Sequence, residues 1–178
     1  MLYSLRRHKA KGDYMTGKKY TSKDIVQMAV QAKARGVELY LAFARNSENY
    51  HVGKLFTELA KDEQRHKMEL EKWLAYLGAG NVEEAYPGES SLYLKSLVDA
   101  STFNCGETQK RMLERTVSEE EALEAGVTFE KDLMLFLHEL KQHVAAKDKD
   151  TVDALIDDEI RHLREMFYLI EKLRGKEA

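Results

Sequence analysis

Cysteine, proline and long apolar runs are scarce or missing in this chain of 178 residues. The one cysteine, Cys105, excludes an internal disulfide and a paired Cys-x-x-Cys metal site, and nothing points to an oxidising compartment. The one proline, Pro87, leaves long stretches on either side free to be helical. No apolar run approaches the roughly 20 residues of a membrane span. Arg6-Arg7 is followed by no apolar stretch, so a secretion signal is not expected and the expected location is the cytoplasm. An excess of positive charge is also missing: the net charge of −3 argues against general nucleic-acid binding. What remains is 43% apolar and 33% charged, enough for a core and suited to long amphipathic helices, at a length that suggests one domain.

One stretch occurs twice. Asp62-Glu63-Gln64-Arg65-His66-Lys67-Met68-Glu69 returns as Asp158-Glu159-Ile160-Arg161-His162-Leu163-Arg164-Glu165, with Asp, Glu, Arg, His and Glu at the same five places and a constant offset of 96 residues. Each copy holds Glu-x-x-His, which on a helix turns a carboxylate and an imidazole to one side, where both reach one metal ion. A single copy is commonplace on a solvated helix face. Two copies at equivalent places in a repeat point to a metal site, against the alternative that His66 and His162 are core histidines bonded to glutamates.

Residues 1–20 carry Arg6, Arg7, Lys9, Lys11, Lys18 and Lys19 and read as a flexible basic tail, ahead of an arm for an anionic partner. Residues 21–178 read as a bundle. Helix 1 is expected from Thr21-Ser22 to about Asn46, with Ile25, Ala29, Ala32, Gly36, Tyr40, Phe43 and Ala44 on one stripe. Lys33 lies within that stripe and Glu38 well away from it. Gly36 allows another helix to come close. After a turn at 46–49, helix 2 runs from about Tyr50 to Leu77 and stops at Gly78-Ala79-Gly80. Residues 79–117, with Pro87-Gly88, a short apolar piece at 92–103 and Cys105 as a buried or incidental thiol, are too long for a hairpin loop and read as a crossover. Ser118 and Glu121 form a capping box for helix 3, which runs to about His143 with Glu130 on its inner side. The next turn is Lys147-Asp148-Lys149-Asp150. Asp150 or Thr151 caps helix 4, which runs to about Leu173 with Glu159 and His162 inward.

Two hairpins and a crossover make an all-α four-helix bundle with Glu63, His66, Glu159 and His162 meeting near its middle. In antiparallel helices, residues equally far from the turn share a level. Glu130 matches Glu159 in this way. The position that matches Glu63 is Lys33, while Glu38 is about a helical turn too close to the turn and on the wrong side. Arg65 and Arg161 are expected beside the core, paired with acids such as Asp62 and Asp158. Tyr40 and Trp73 read as packing residues.

These motifs resemble the rubrerythrin-type branch of the ferritin-like superfamily over most of residues 22–174, on Glu63/His66, Glu159/His162 and Glu130-Lys131-Asp132 with Phe136. Bundles of this class use one Glu from each of two helices and a Glu-x-x-His from each of the others. The resemblance implies iron or manganese, one or two ions, with Glu63 and Glu159 bridging, each histidine on one metal, and Glu130 a terminal ligand. It implies an oxidoreductase acting on peroxide or dioxygen or in iron handling, and a homodimer. Rubrerythrins proper add a four-cysteine rubredoxin domain that is absent here, so electrons are expected from an external donor protein. The family also has Glu seven residues before a Tyr, with Gly between. Gly36 and Tyr40 are in place, but the ligand position holds Lys33, and an ammonium is no ligand. Three carboxylates carry −3. One divalent ion with a charged Lys33 balances them and two do not, so one metal is expected beside the Lys33 ammonium. A neutral Lys33, or one that snorkels to solvent, is the other reading. The remaining functional alternatives are a metal-binding bundle without catalysis and an interaction bundle with a degenerate site.

Overall fold

The computed structural model describes residues 20–78 and 117–175, with 93, 96, 97 and 101 between them. Four long helices dominate: α1 (Ser22–Asn46), α2 (Tyr50–Gly78), α3 (Glu119–His143) and α4 (Lys149–Leu173). The expectations for the basic tail at 1–19, for Cys105 and for nearly all of the crossover, including the apolar piece at 92–103 apart from residues 93, 96, 97 and 101, fall outside the described residues. Tyr20, assigned to the tail, is buried against the core. No described helix is long and apolar enough to cross a membrane.

Local chemistry sets most helix ends. Thr21 caps α1 by accepting from the backbone of Asp24, whose carboxylate accepts in return from Thr21 N at 2.9 Å. Ser118 and Glu121 form the expected capping box on α3. These reciprocal bonds satisfy amides that a helix start leaves orphaned. The start of α4 corrects the expectation for it. A 3-10 turn, Ala146–Asp148, runs straight into α4, and Lys149 N–H donates to Ala146 O. Asp150 and Thr151 therefore lie inside the first turn instead of capping it, and no side chain caps this helix. Gly78 is the last residue of α2 where a stop was expected.

Contacts at the helix ends establish the topology. Ser47 Oγ and the amides of Glu48 and Asn49 donate to Glu119, so the first hairpin turn sits beside the start of α3. At the other end, Lys147 in the second hairpin turn donates to Tyr76 Oη, near the end of α2. Arg174, just past α4, reaches back to Glu120 and Glu124. The order is up, down, down, up. Helices α2 and α3 run the same way.

The core is aromatic at one level and charged at the next. Tyr40 stacks on Phe56 at 5.8 Å and meets Phe129 edge-on at 5.9 Å, and Phe43 lies 5.1 Å from Phe56. Gly36 serves a close approach: a Cβ there would stand 2.7 Å from Glu63 Oε2.

Candidate metal centre

All five residues expected to bind metal, Glu63, His66, Glu130, Glu159 and His162, are fully buried, and so is Lys33. Each helix contributes: Lys33 from α1, Glu63 and His66 from α2, Glu130 from α3, Glu159 and His162 from α4. Lys33 and Glu130 are each the twelfth residue of a helix of 25. Glu38 is exposed, as its place off the stripe implies.

Lys33 does not snorkel. Its Nζ donates to Glu63 Oε1 at 2.8 Å and to Glu159 Oε1, so one ammonium joins the two motif glutamates. On the other side, Glu63, Glu130, Glu159 and His162 each offer a ligand atom, and the four atoms lie within 4.8 Å of one another. His162 Nδ1 is 3.1 Å from Glu159 Oε2 and 3.3 Å from Glu130 Oε1. His66 stands apart from this group, with Nδ1 3.6 Å from Glu159 Oε1 and 3.8 Å from Glu63 Oε1. The two imidazoles lie 6.1 Å apart, nearly parallel.

The aspartates that open each repeat support the histidines, and they do so crosswise. His66 Nε2 lies 2.7 Å from Asp158 Oδ2, and His162 Nε2 lies 3.3 Å from Asp62 Oδ2. Arg65 donates to Asp158 at 2.8 Å and Arg161 to Asp62 at 2.6 Å, with longer contacts to the aspartate of their own helix. An Nε2–H given to an aspartate leaves Nδ1 as the coordinating nitrogen, facing the carboxylates.

Burial and mutual proximity perturb these groups. Burial works against a charged Lys33, but Glu159, Glu63 and Glu130 outweigh it and hold the ammonium protonated above the ordinary lysine range. Burial, then the neighbouring charges of Glu159 and Glu63, pushes Glu130 up to about 8. Burial opposes the imidazolium of His162, and Glu130 and Glu159 override it, raising the group to about 10. Glu159 is driven up by burial and down further by Lys33, so it ends below the usual carboxylate range. Asp158 likewise ends low, through Arg65 and His66.

Three buried atoms of the set, Glu63 Oε2, Glu130 Oε2 and His66 Nδ1, have no hydrogen-bond partner among the described residues. A buried polar atom left unpaired costs about 1–3 kcal/mol, and two carboxylate oxygens in that state beside an imidazole are donors suited to a cation. The residues fit a transition metal at Glu63, Glu130, Glu159 and His162. Beside His66, the Lys33 ammonium holds Oε1 of both Glu63 and Glu159.

Three partners of the site residues escaped sequence reasoning. Tyr40, taken as packing, also donates its hydroxyl to Glu130 Oε1 at 2.5 Å. Its position seven residues after Lys33 was visible, but its bond to a helix elsewhere in the chain was not. Asp62 and Asp158 were read as partners of arginine alone. Their signal was present, an Asp directly before Glu in both copies, yet an Asp–Arg pair three residues apart on one helix was the simpler use of it.

A family model described as Rubrerythrin matches residues 24–169. Among solved structures, a candidate ferritin-like diiron-carboxylate protein from Thermotoga maritima has a similar fold, with a TM-score of 0.68 and 23% identity, covering 86% of this chain and 96% of that one. No curated protein matches.

Proposed function

The chain belongs to the rubrerythrin family, and from that premise we propose that it is a metal-binding oxidoreductase acting on peroxide or dioxygen or in iron handling. The observation that carries this reading is the convergence of Glu63, Glu130, Glu159 and His162 in a fully buried group. Carboxylates with one imidazole suit iron or manganese. Bound there, such an ion supplies electron transfer and polarises an oxygen-containing ligand. The chain's own residues do the rest. Asp62 orients His162, Tyr40 fixes Glu130, and the buried aromatic layer of Tyr40, Phe56 and Phe129 excludes water from one side.

Elemental analysis of protein purified without chelator, followed by anaerobic reduction and rapid mixing with hydrogen peroxide, tests this. Copurified iron or manganese, and reoxidation much faster than that of the free ion, is the expected result. No metal after anaerobic loading overturns the reading. Metal without peroxide or dioxygen reactivity favours a second reading, a bundle that holds metal without catalysis. One observation favours that reading over an unmodified diiron enzyme: Lys33 stands among the carboxylates where a ligand is expected.

A further inference from the structure

We propose that the Lys33 ammonium is the second cation of this centre, built into α1, and that the bundle therefore takes one metal ion and not two. The inference rests on the metal-binding reading above and deepens it.

Four observations converge. Each motif glutamate spends its Oε1 on Lys33 Nζ. Each keeps its Oε2 off the lysine: Glu63 Oε2 is unpartnered among the described residues, and Glu159 Oε2 faces His162 Nδ1. A carboxylate divided in this way could hold the ammonium on one oxygen and a metal ion on the other. Next, the converging ligand set omits His66, although His66 matches His162 in burial and in its aspartate partner. The two halves thus carry the same motif on the second helix, and their difference at the site lies in the first. There Lys33 and Glu130 take the same twelfth position, the one a cation and the other a ligand. Finally, the charges close. Glu63, Glu130 and Glu159 balance one divalent ion plus one ammonium, whereas two divalent ions plus the ammonium would leave buried positive charge that nothing among the described residues offsets.

The occupant of the His66 side matters for a physical reason. A metal takes a carboxylate oxygen at about 2.0–2.2 Å. An oxygen already 2.8 Å from an ammonium cannot also accept a divalent ion without placing two positive centres side by side in a dry interior. Lys33 therefore acts by exclusion. It needs no lone pair, only its charge and its reach, and full burial gives it no route to solvent.

The test is stoichiometry, read without reference to activity. Wild-type protein stripped with chelator is titrated anaerobically with Fe(II) or Mn(II) and weighed by native mass spectrometry, beside Lys33→Glu. One ion per chain in wild type and two in Lys33→Glu supports the proposal. Two ions in wild type overturn it and leave the metal-binding reading intact. One ion in both overturns it as well, since something other than Lys33 then excludes the second. No ion in either overturns the metal-binding reading and this inference together. Should Lys33→Glu fail to fold without metal, Lys33→Met serves: a second ion is expected to bind it more tightly than it binds wild type. Binding no tighter than in wild type counts against the proposal.

Discussion

A tyrosine hydroxyl 2.5 Å from a buried carboxylate is a tether, and Tyr40 holds Glu130 in this way. Its ring is independently fixed between Phe56 and Phe129, so Tyr40→Phe should leave the fold unchanged while freeing the carboxylate. Partners of this kind are worth about 10–100-fold in metal affinity. Competition titration with a chromophoric chelator should find a loss in that range with an unaltered melting curve; an unchanged affinity would mean that Glu130 is held without the hydroxyl. Lys33 makes the opposite case, since it supports the site when metal is absent. Its removal leaves buried carboxylates unpaired, and breaking a buried pair from one side costs about 3–5 kcal/mol. Stripped Lys33→Met should lose about that much in denaturant unfolding, and metal loading should restore part of it. A loss below ~1 kcal/mol would show that the carboxylates take up protons in place of the ammonium.

At the scale of the element, the bundle was legible because its helices announce themselves. Apolar periodicity, the helix start at Thr21-Ser22, the capping box at Ser118 and Glu121 and the Gly-Ala-Gly stop placed α1, α2 and α3 to within a residue or so. The start of α4 was misread, because a 3-10 turn supplies backbone acceptors that no side-chain pattern advertises. Within the site, helical levels brought Glu63, Glu130, Glu159 and Lys33 together, since distance from a turn is arithmetic. Levels do not say which oxygen meets which nitrogen, and the crossed pairing of each aspartate with the other repeat's histidine was beyond them. Gly36 is the element-scale device that lets α1 come close to Glu63. In Gly36→Ala a Cβ 2.7 Å from Glu63 Oε2 and 3.1 Å from Phe129 Cε1 must displace a carboxylate that Lys33 already pins. Metal affinity should fall at least about tenfold, although alanine favours helix by about 1 kcal/mol. Gly53→Ala is the control: its nearest neighbour would be Ser47 Cβ at 3.4 Å. That variant should be as stable as wild type or slightly more so, with unaltered metal affinity. Equal affinities in the two variants would remove Gly36 from the account of the site.

For the molecule as a whole, metal binding at the proposed centre would exchange protons for the ion. Without metal, Lys33 and His162 stand against the carboxylates of Glu63 and Glu159, while Glu130 keeps its proton up to about 8. A divalent ion held by Glu130 and His162 would displace the protons of both. Up to two protons should therefore leave per ion near neutral pH, and affinity should climb as pH rises toward 8. Calorimetry in buffers of differing ionisation enthalpy reads that number; a heat that does not depend on the buffer would contradict it. Stability moves the other way. His162 is raised from 6.5 to about 10, so its contribution is full below pH 6.5 and is lost as pH rises through 10. Glu130, raised from 4.5 to about 8, also favours the folded state less as pH rises through that window. The melting temperature of the stripped protein should fall between pH 6.5 and 10, and that of the loaded protein should fall less.

Lys33 and Glu130 hold the same place in two helices of equal length. In the genetic code the triplets for lysine and glutamate differ only in their first base, adenine in one and guanine in the other. The two halves of this bundle thus differ, at their matching positions in the first helix, by the smallest edit a gene can carry. A single transition at codon 33 would make the chain's two ligand positions alike. The reverse transition at codon 130 would give both halves an ammonium, and with it a core closed to metal on either side.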